Sequence, residues 1–139
     1  MTTDQGSRPA FEVGQKRSLT RSLTAQDVET FGNLTGDHNP IHFDPVYAAS
    51  TRFGRPIVHG LLVAAMFSGL MGQELPGPGT IYLKQELRFL APVYVGDQIT
   101  VTVEIRELKD KGRAILRTWC SCGEELMVDG QAEVLLPRA

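Results

Sequence analysis

The sequence predicts an α+β fold, an antiparallel sheet whose apolar face wraps around one very hydrophobic helix. Three observations point there. Helical signals are confined to the first half of the 139 residues. The most apolar stretch, IVHGLLVAAMFSGLMG (57–72), is apolar on nearly every side of a helix, which implies burial all round. After Thr80 the pattern changes to the two-residue alternation of strands separated by glycine turns. Strands joined by short turns run antiparallel, and one sheet burying one helix is the economical way to satisfy all three.

The elements follow in order. Residues 1–10 are polar, contain Pro9 and read as a loose tail. FEVGQKRSLT (11–20) reads as a short first strand kinked at Gly14. TAQDVETFGNL (24–34) is a helix: Thr24 can cap it, Asp27 sits at the third position of a capping box, and Val28, Phe31 and Leu34 share one side. Gly36 is a natural stop, because glycine takes the left-handed conformation after a helix end. FDPVYAAS (43–50) restarts a short helix, with Asp44 as cap and Pro45 in its first turn. TRFGRP is a loop. The apolar helix then runs from about Gly60 to Leu75, and LPGPG ends it. TIYLKQELRFLAPV (80–93) alternates, with Ile81, Leu83, Leu87 and Phe89 on one face and Tyr82, Lys84, Glu86 and Arg88 on the other. DQITVTVEIREL, GRAILRTWCSC and ELMVDGQAEVLL are further strands, with turns through Gly112 and Gly123.

Composition narrows the function classes. The length fits one domain over residues 1–139, large enough to fold without disulfides or a structural metal. The formal net charge of −2 points away from nucleic acid and anionic membranes. The N-terminus has no basic region followed by an apolar run, so no signal peptide is read there. The apolar stretch falls short of the roughly 20 residues that span a bilayer. These features predict a cytoplasmic protein. Cys120 and Cys122 lack the further ligands of a zinc site and read as two free thiols on one face of a strand.

The stretch TGDHNPIHF (35–43) carries the chemistry. Five residues separate Asp37 from His42, which is about 140° around a helix and opposite faces of a strand. Neither regular structure lets them cooperate. Gly36 has ended one helix and Pro40 disfavours another at Asn39, so the segment is a shaped loop in which the two can converge. A carboxylate and an imidazole on one cleft are the minimum equipment for general acid–base catalysis. The bland alternative is that Asp37 and Asn39 only close the loop with side-chain hydrogen bonds. A metal site is disfavoured: His38 and His42 have the i, i+4 spacing of a helical zinc pair, but Asn39-Pro40 forbids that helix. Further along, His59-Gly60 sits where the buried helix begins, and free N–H groups there can bind an oxyanion. Glycine lets a ligand approach the backbone closely. Ser68 lies about 80° around the helix from Gly60 and can equally bond the carbonyl four residues back. His59 is read as a structural histidine.

FGNLTGDHNPIHFDPVYA resembles the signature of the R-specific enoyl-CoA hydratases, the MaoC-like or hydratase-2 family. Phe31, Thr35, Gly36, Asp37, Asn39, Pro40, Ile41, His42 and Ala48 fit its pattern. The similarity continues through RPIVHGLLVAAMFSGLMG and GTIYLKQELRFLAPVYVGD to the last strand, and is strongest to the short hydratases linked to polyhydroxyalkanoate synthesis. The resemblance implies a hot-dog fold working as a homodimer, with Asp37 and His42 as the catalytic dyad that holds water. It implies that the Gly60 N–H binds the thioester carbonyl oxygen, that Ser68 is an active-site serine, and that Asn39 supports the loop. No cofactor or metal is implied; coenzyme A enters as part of the substrate.

The chemistry then runs as follows. Water adds at C3 of a trans-2-enoyl thioester and a proton at C2. One of Asp37 and His42 removes a proton and the other delivers one on the same face. Charge growing on the thioester oxygen is stabilised where it develops. Three rivals share the fold: an (R)-3-hydroxyacyl thioester dehydratase of fatty acid synthesis, which runs the same chemistry backwards; an acyl-CoA thioesterase, against which the loop motif argues; and a non-catalytic acyl-binding subunit, which the presence of both Asp37 and His42 disfavours.

Overall fold

The computed structural model describes residues 10–138, so the predicted N-terminal tail lies, apart from Ala10, outside the described residues. The elements are β1 (Lys16–Ser22), α1 (Ala25–Thr35), α2 (Pro45–Ala49), α3 (Gly60–Gln73), β2 (Ile81–Phe89), β3 (Gln98–Leu108), β4 (Arg113–Cys122) and β5 (Glu125–Leu135), with one 3₁₀ turn at Pro40–His42 and another at Asp110–Gly112. The five strands form one antiparallel sheet in the order β1-β3-β4-β5-β2.

The local signals behave as their chemistry dictates. Thr24 and Asp27 complete a capping box, and Gly36 ends α1 at φ 83° with its N–H donated to the Gly32 carbonyl. Asp44 caps α2 by accepting from the Val46 and Tyr47 N–H groups. Lys111 and Gly112 turn the β3–β4 hairpin, both at positive φ.

Three expectations need correction. The first strand starts at Lys16 rather than Phe11, because Gly14 takes φ 98° in a turn between the Glu12 carbonyl and the Gln15 N–H. β2 crosses to the far side of the sheet and pairs with β5, which makes it an edge strand. Of the four apolar residues Ile81, Leu83, Leu87 and Phe89, only Leu87 is half-buried and the others are exposed, and a bulge between Tyr82 and Lys84 interrupts the alternation. Leu34 is also exposed, and α1 buries Val28 and Gly32 instead.

α3 packs across the sheet and supplies the centre of the core. Leu62, Val63, Ala64, Phe67, Leu70 and Met71 are buried against Val101, Val103, Ile105, Leu116, Val128 and Val134. The expectation of burial all round fails on one stripe, where Leu61, Ala65, Ser68 and Gly69 face outward. Cys120 and Cys122 are both free, and burial, reinforced by Cys122, pushes the Cys120 thiol up to about 12. No helix among the described residues is long and apolar enough to cross a membrane.

Candidate active site

The loop between α1 and α2 is shaped by its own polar side chains. The Thr35 hydroxyl accepts from the Asp37 N–H at 3.2 Å, one Asp37 carboxylate oxygen accepts from the Asn39 N–H at 3.2 Å, and the Asn39 side-chain oxygen accepts from the Ile41 N–H at 3.3 Å. Asn39 thereby caps the Pro40–His42 turn that swings His42 back toward Asp37. Phe43 then anchors the loop on α1. Its ring lies where a Cβ on Gly32 would stand, 2.5 Å from that position, so only glycine lets the loop dock this closely.

A second segment closes on the first. The Ile57 N–H donates to the Ile41 carbonyl and the Val58 N–H to the Val93 carbonyl, which pins residues 57–59 between the loop and the strand connection. His42 Nδ1 donates to the Ile57 carbonyl at 2.7 Å. A carbonyl only accepts, so in neutral His42 the hydrogen is on Nδ1 and Nε2 keeps its lone pair. Burial holds the His42 pKa below its ordinary value. The bond to Ile57 opposes that, nearby His59 reinforces it, and Asp37 opposes it. His42 is therefore a neutral base at pH 7.

α3 begins at this point. Gly60 is its first residue, and the N–H groups of a first turn have no intrahelical acceptor. A Cβ on Gly60 would lie 2.6 Å from the Phe89 ring, so the bare helix start is enforced by β2 as well as open to ligand. A cavity of about 540 Å³ lies here, lined by Asp37, His42, His59, Gly60 and Arg52 together with the apolar Phe31, Val63, Phe89, Leu90, Val93 and Val128. A largely apolar cavity carrying a few polar groups suits a ligand with a reactive head and an alkyl tail.

The loop and the helix start thus bring Asp37, His42 and Gly60 together, with Asn39 as their support. Ser68 is not part of this wall. Eight residues of helix carry it about 12 Å beyond Gly60, and it lies on the outward stripe of α3. His38 also points away, toward Asn33 Oδ1 at 3.1 Å. The residue that sequence reasoning undervalued is His59. It is indeed buried, but its ring stacks on His42 at 3.9 Å and its Nε2 donates to the Asp37 carbonyl at 3.1 Å. Its place immediately before Gly60 was the available signal.

Asp37, His42 and His59 offer ligand atoms within 4.8 Å of one another. The ring geometry does not suit a metal. An ion at about 2.1 Å from each nitrogen must lie in both ring planes. Planes tilted by 28° and stacked 3.9 Å apart meet well beyond that reach.

One sheet around one helix, with a carboxylate and an imidazole near that helix's start, defines a class: a hot-dog fold protein with two titratable side chains in a largely apolar cavity. Comparison narrows it. The model of the MaoC-like domain matches residues 8–118, and the chain belongs to that family. It is 50% identical to the (R)-specific enoyl-CoA hydratase of Aeromonas caviae over 94% of this chain and 99% of the relative. It is 44% identical to the 3-hydroxybutyryl-CoA dehydratase of Methylorubrum extorquens over 92% of this chain and 82% of that one. The solved (R)-hydratase from A. caviae involved in polyhydroxyalkanoate biosynthesis superposes with a TM-score of 0.90 at 51% identity, covering 92% of this chain and 98% of that chain.

Proposed function

We propose that this protein is an (R)-specific enoyl-CoA hydratase, adding water reversibly and syn across trans-2-enoyl-CoA to give (R)-3-hydroxyacyl-CoA. The observation that carries this is the meeting of Asp37 and the His42 ring beside the free N–H of Gly60, in a largely apolar cavity. The names of the relatives supply the substrate class and the stereochemistry.

The groups divide the work. The acyl chain lies along the apolar wall and the thioester carbonyl oxygen accepts from the Gly60 N–H. A water hydrogen-bonds to Asp37 and to His42 Nε2. As its oxygen bonds to C3, the π electrons move toward the thioester oxygen and the N-terminus of α3 stabilises that charge. Neutral His42 takes the water's proton on Nε2, and Asp37 holds the water and balances the imidazolium. The proton then returns to C2 on the same face, so water is consumed whole and His42 ends neutral. Both proton transfers use side chains alone, so the reaction needs neither metal nor cofactor. The reverse sequence is the dehydration carried out by the dehydratases of the family. The protein acts in the cytoplasm, in polyhydroxyalkanoate synthesis or fatty acid metabolism.

It works as a homodimer. The outward stripe of α3 and the exposed apolar residues of β2 lie on one side, since Leu61, Phe89 and Leu90 share a cavity wall. A second copy covers them, and Ser68 then joins the acyl pocket that the dimer completes.

The test is direct. Purified protein given crotonyl-CoA removes the conjugated-thioester absorbance and forms only the R alcohol. Asp37→Asn and His42→Ala each fall by at least about a hundredfold in kcat with the fold retained, within the range that general acid–base groups contribute. Free thiol released from saturated acyl-CoA, with no hydration, identifies a thioesterase instead.

A further inference from the structure

We propose that His59 is a positioning residue of the reaction, the one side chain on which both the Asp37 loop and the His42 ring are set. It rests on the hydratase reading above but is tested partly without it.

Four observations converge on this side chain. His59 is 1% exposed, the most deeply buried ionisable group at the head of the cavity. Its Nε2 donates to the backbone carbonyl of Asp37 at 3.1 Å, a residue 22 positions away in the chain. Its ring lies against His42 at 3.9 Å between centroids and 28° between planes. Phe31 and Phe43 close over its remaining sides at 4.9 and 5.6 Å.

The bonding fixes the state of both rings. The carbonyl of Asp37 requires a hydrogen on His59 Nε2, and among the described residues Nδ1 has no hydrogen-bond partner. What the imidazole supplies is a flat ring of the right thickness beneath His42 and a donor at the edge that reaches Asp37. No apolar side chain has both. The two rings carry their hydrogens on opposite kinds of nitrogen, His42 on Nδ1 toward Ile57 and His59 on Nε2 toward Asp37. His42 therefore cannot rotate or change tautomer without losing its bond to Ile57, and the His59 ring blocks one face of it.

His59 is also the residue before Gly60, at the N-cap position of α3, with no side-chain cap of its own. One residue thus joins the carboxylate loop, the imidazole and the helix start. The groups that share a cavity with His42 are Asp37, His59 and Arg52 in the main one, and Arg55 in a smaller one. Of these, only His59 is in ring contact with it.

The experiment has two arms. In the first, long-range proton–nitrogen spectra of the wild-type protein read the tautomers without any turnover. The expected result is hydrogen on Nε2 of His59 and on Nδ1 of His42; hydrogen on Nδ1 of His59 overturns the proposal. In the second, His59→Gln keeps a donor for the Asp37 carbonyl and removes the ring. The expected result is kcat for crotonyl-CoA down at least tenfold, KM changed less than threefold, and the acid limb of the kcat/KM profile moved to higher pH, with rescue of the limb in no apolar variant. An active His59→Gln with the wild-type profile overturns the proposal, as does a loss of activity with the limb unmoved. If His59→Gln does not fold, the tautomer arm decides. If wild type itself does not hydrate enoyl-CoA, the function above fails while the tautomer arm still stands.

Discussion

His42 has a single-residue property that can be read in solution. Burial holds its pKa below the ordinary histidine value, and the base must be neutral to act. Activity therefore rises through a limb that lies below about 6.5 and is fully developed at pH 7. A kcat/KM profile with its acid limb above that value contradicts the assignment. The sign for stability follows the same shift. The unfolded chain binds a proton on His42 more readily, so the fold loses stability as pH falls from the ordinary value through the lowered one. Gly60 is the second residue with a sharp consequence. A methyl there meets Phe89 at 2.6 Å and drives the ring into the cavity head. Gly60→Ala should cost at least tenfold in kcat/KM, and adding Phe89→Ala should restore part of it by returning the space. If the double variant is no better than the single one, Gly60 acts for another reason. The sequence alone singled out Asp37, His42 and Gly60, which the fold brings to one cavity, because a shaped loop and a bare helix start leave local marks. It did not foresee the contacts of His59 with Asp37 and His42, which cross 22 and 17 positions and leave no periodicity to read.

Among the elements, β2 depends on one glycine of its neighbour. A Cβ on Gly130 of β5 would stand 2.2 Å from the Glu86 carbonyl oxygen, which is backbone and cannot swing aside. Gly130→Ala should therefore peel β2 from β5 and cost about 2 kcal/mol, the usual scale of overpacking, seen as a lower urea midpoint. An unchanged midpoint would mean that β2 is already free to shift. Because Phe89 ends β2 and lines the cavity, the same change should lower activity. The caps of α1 and α2 were legible, since caps are local chemistry: Thr24 with Asp27, Gly36, and Asp44 with Pro45. β2 was not. Its alternation is that of a half-buried strand, but a bulge at Tyr82–Lys84 and its place at the sheet edge decide which side chains face the core.

At the scale of the whole molecule, one exposed apolar surface stands out. Leu61 is 62% exposed, Phe89 53% and Leu90 52%, and the three share one cavity wall where α3 begins and the edge strand ends. Surfaces of this kind mark contacts with another chain. Sedimentation at micromolar concentration should give twice the mass of the 139-residue chain. Leu61→Asp, which places a charge at the centre of the contact, should yield monomer and lower activity, because Ser68 would then face water. A wild-type monomer with full activity would remove both the dimer and the role of Ser68.

The sequence by itself determined the elements, their order, the loop that carries Asp37 and His42, and the glycine at the helix start. These rest on caps, turns and periodicity, which act within a few residues. Only the packing of distant segments made β2 cross to pair with β5, left one stripe of α3 outside, placed Ser68 apart from Asp37 and His42, and set His59 against both. Each of those depends on which distant segments pack together, and packing is non-directional, so no short stretch of chain records its outcome.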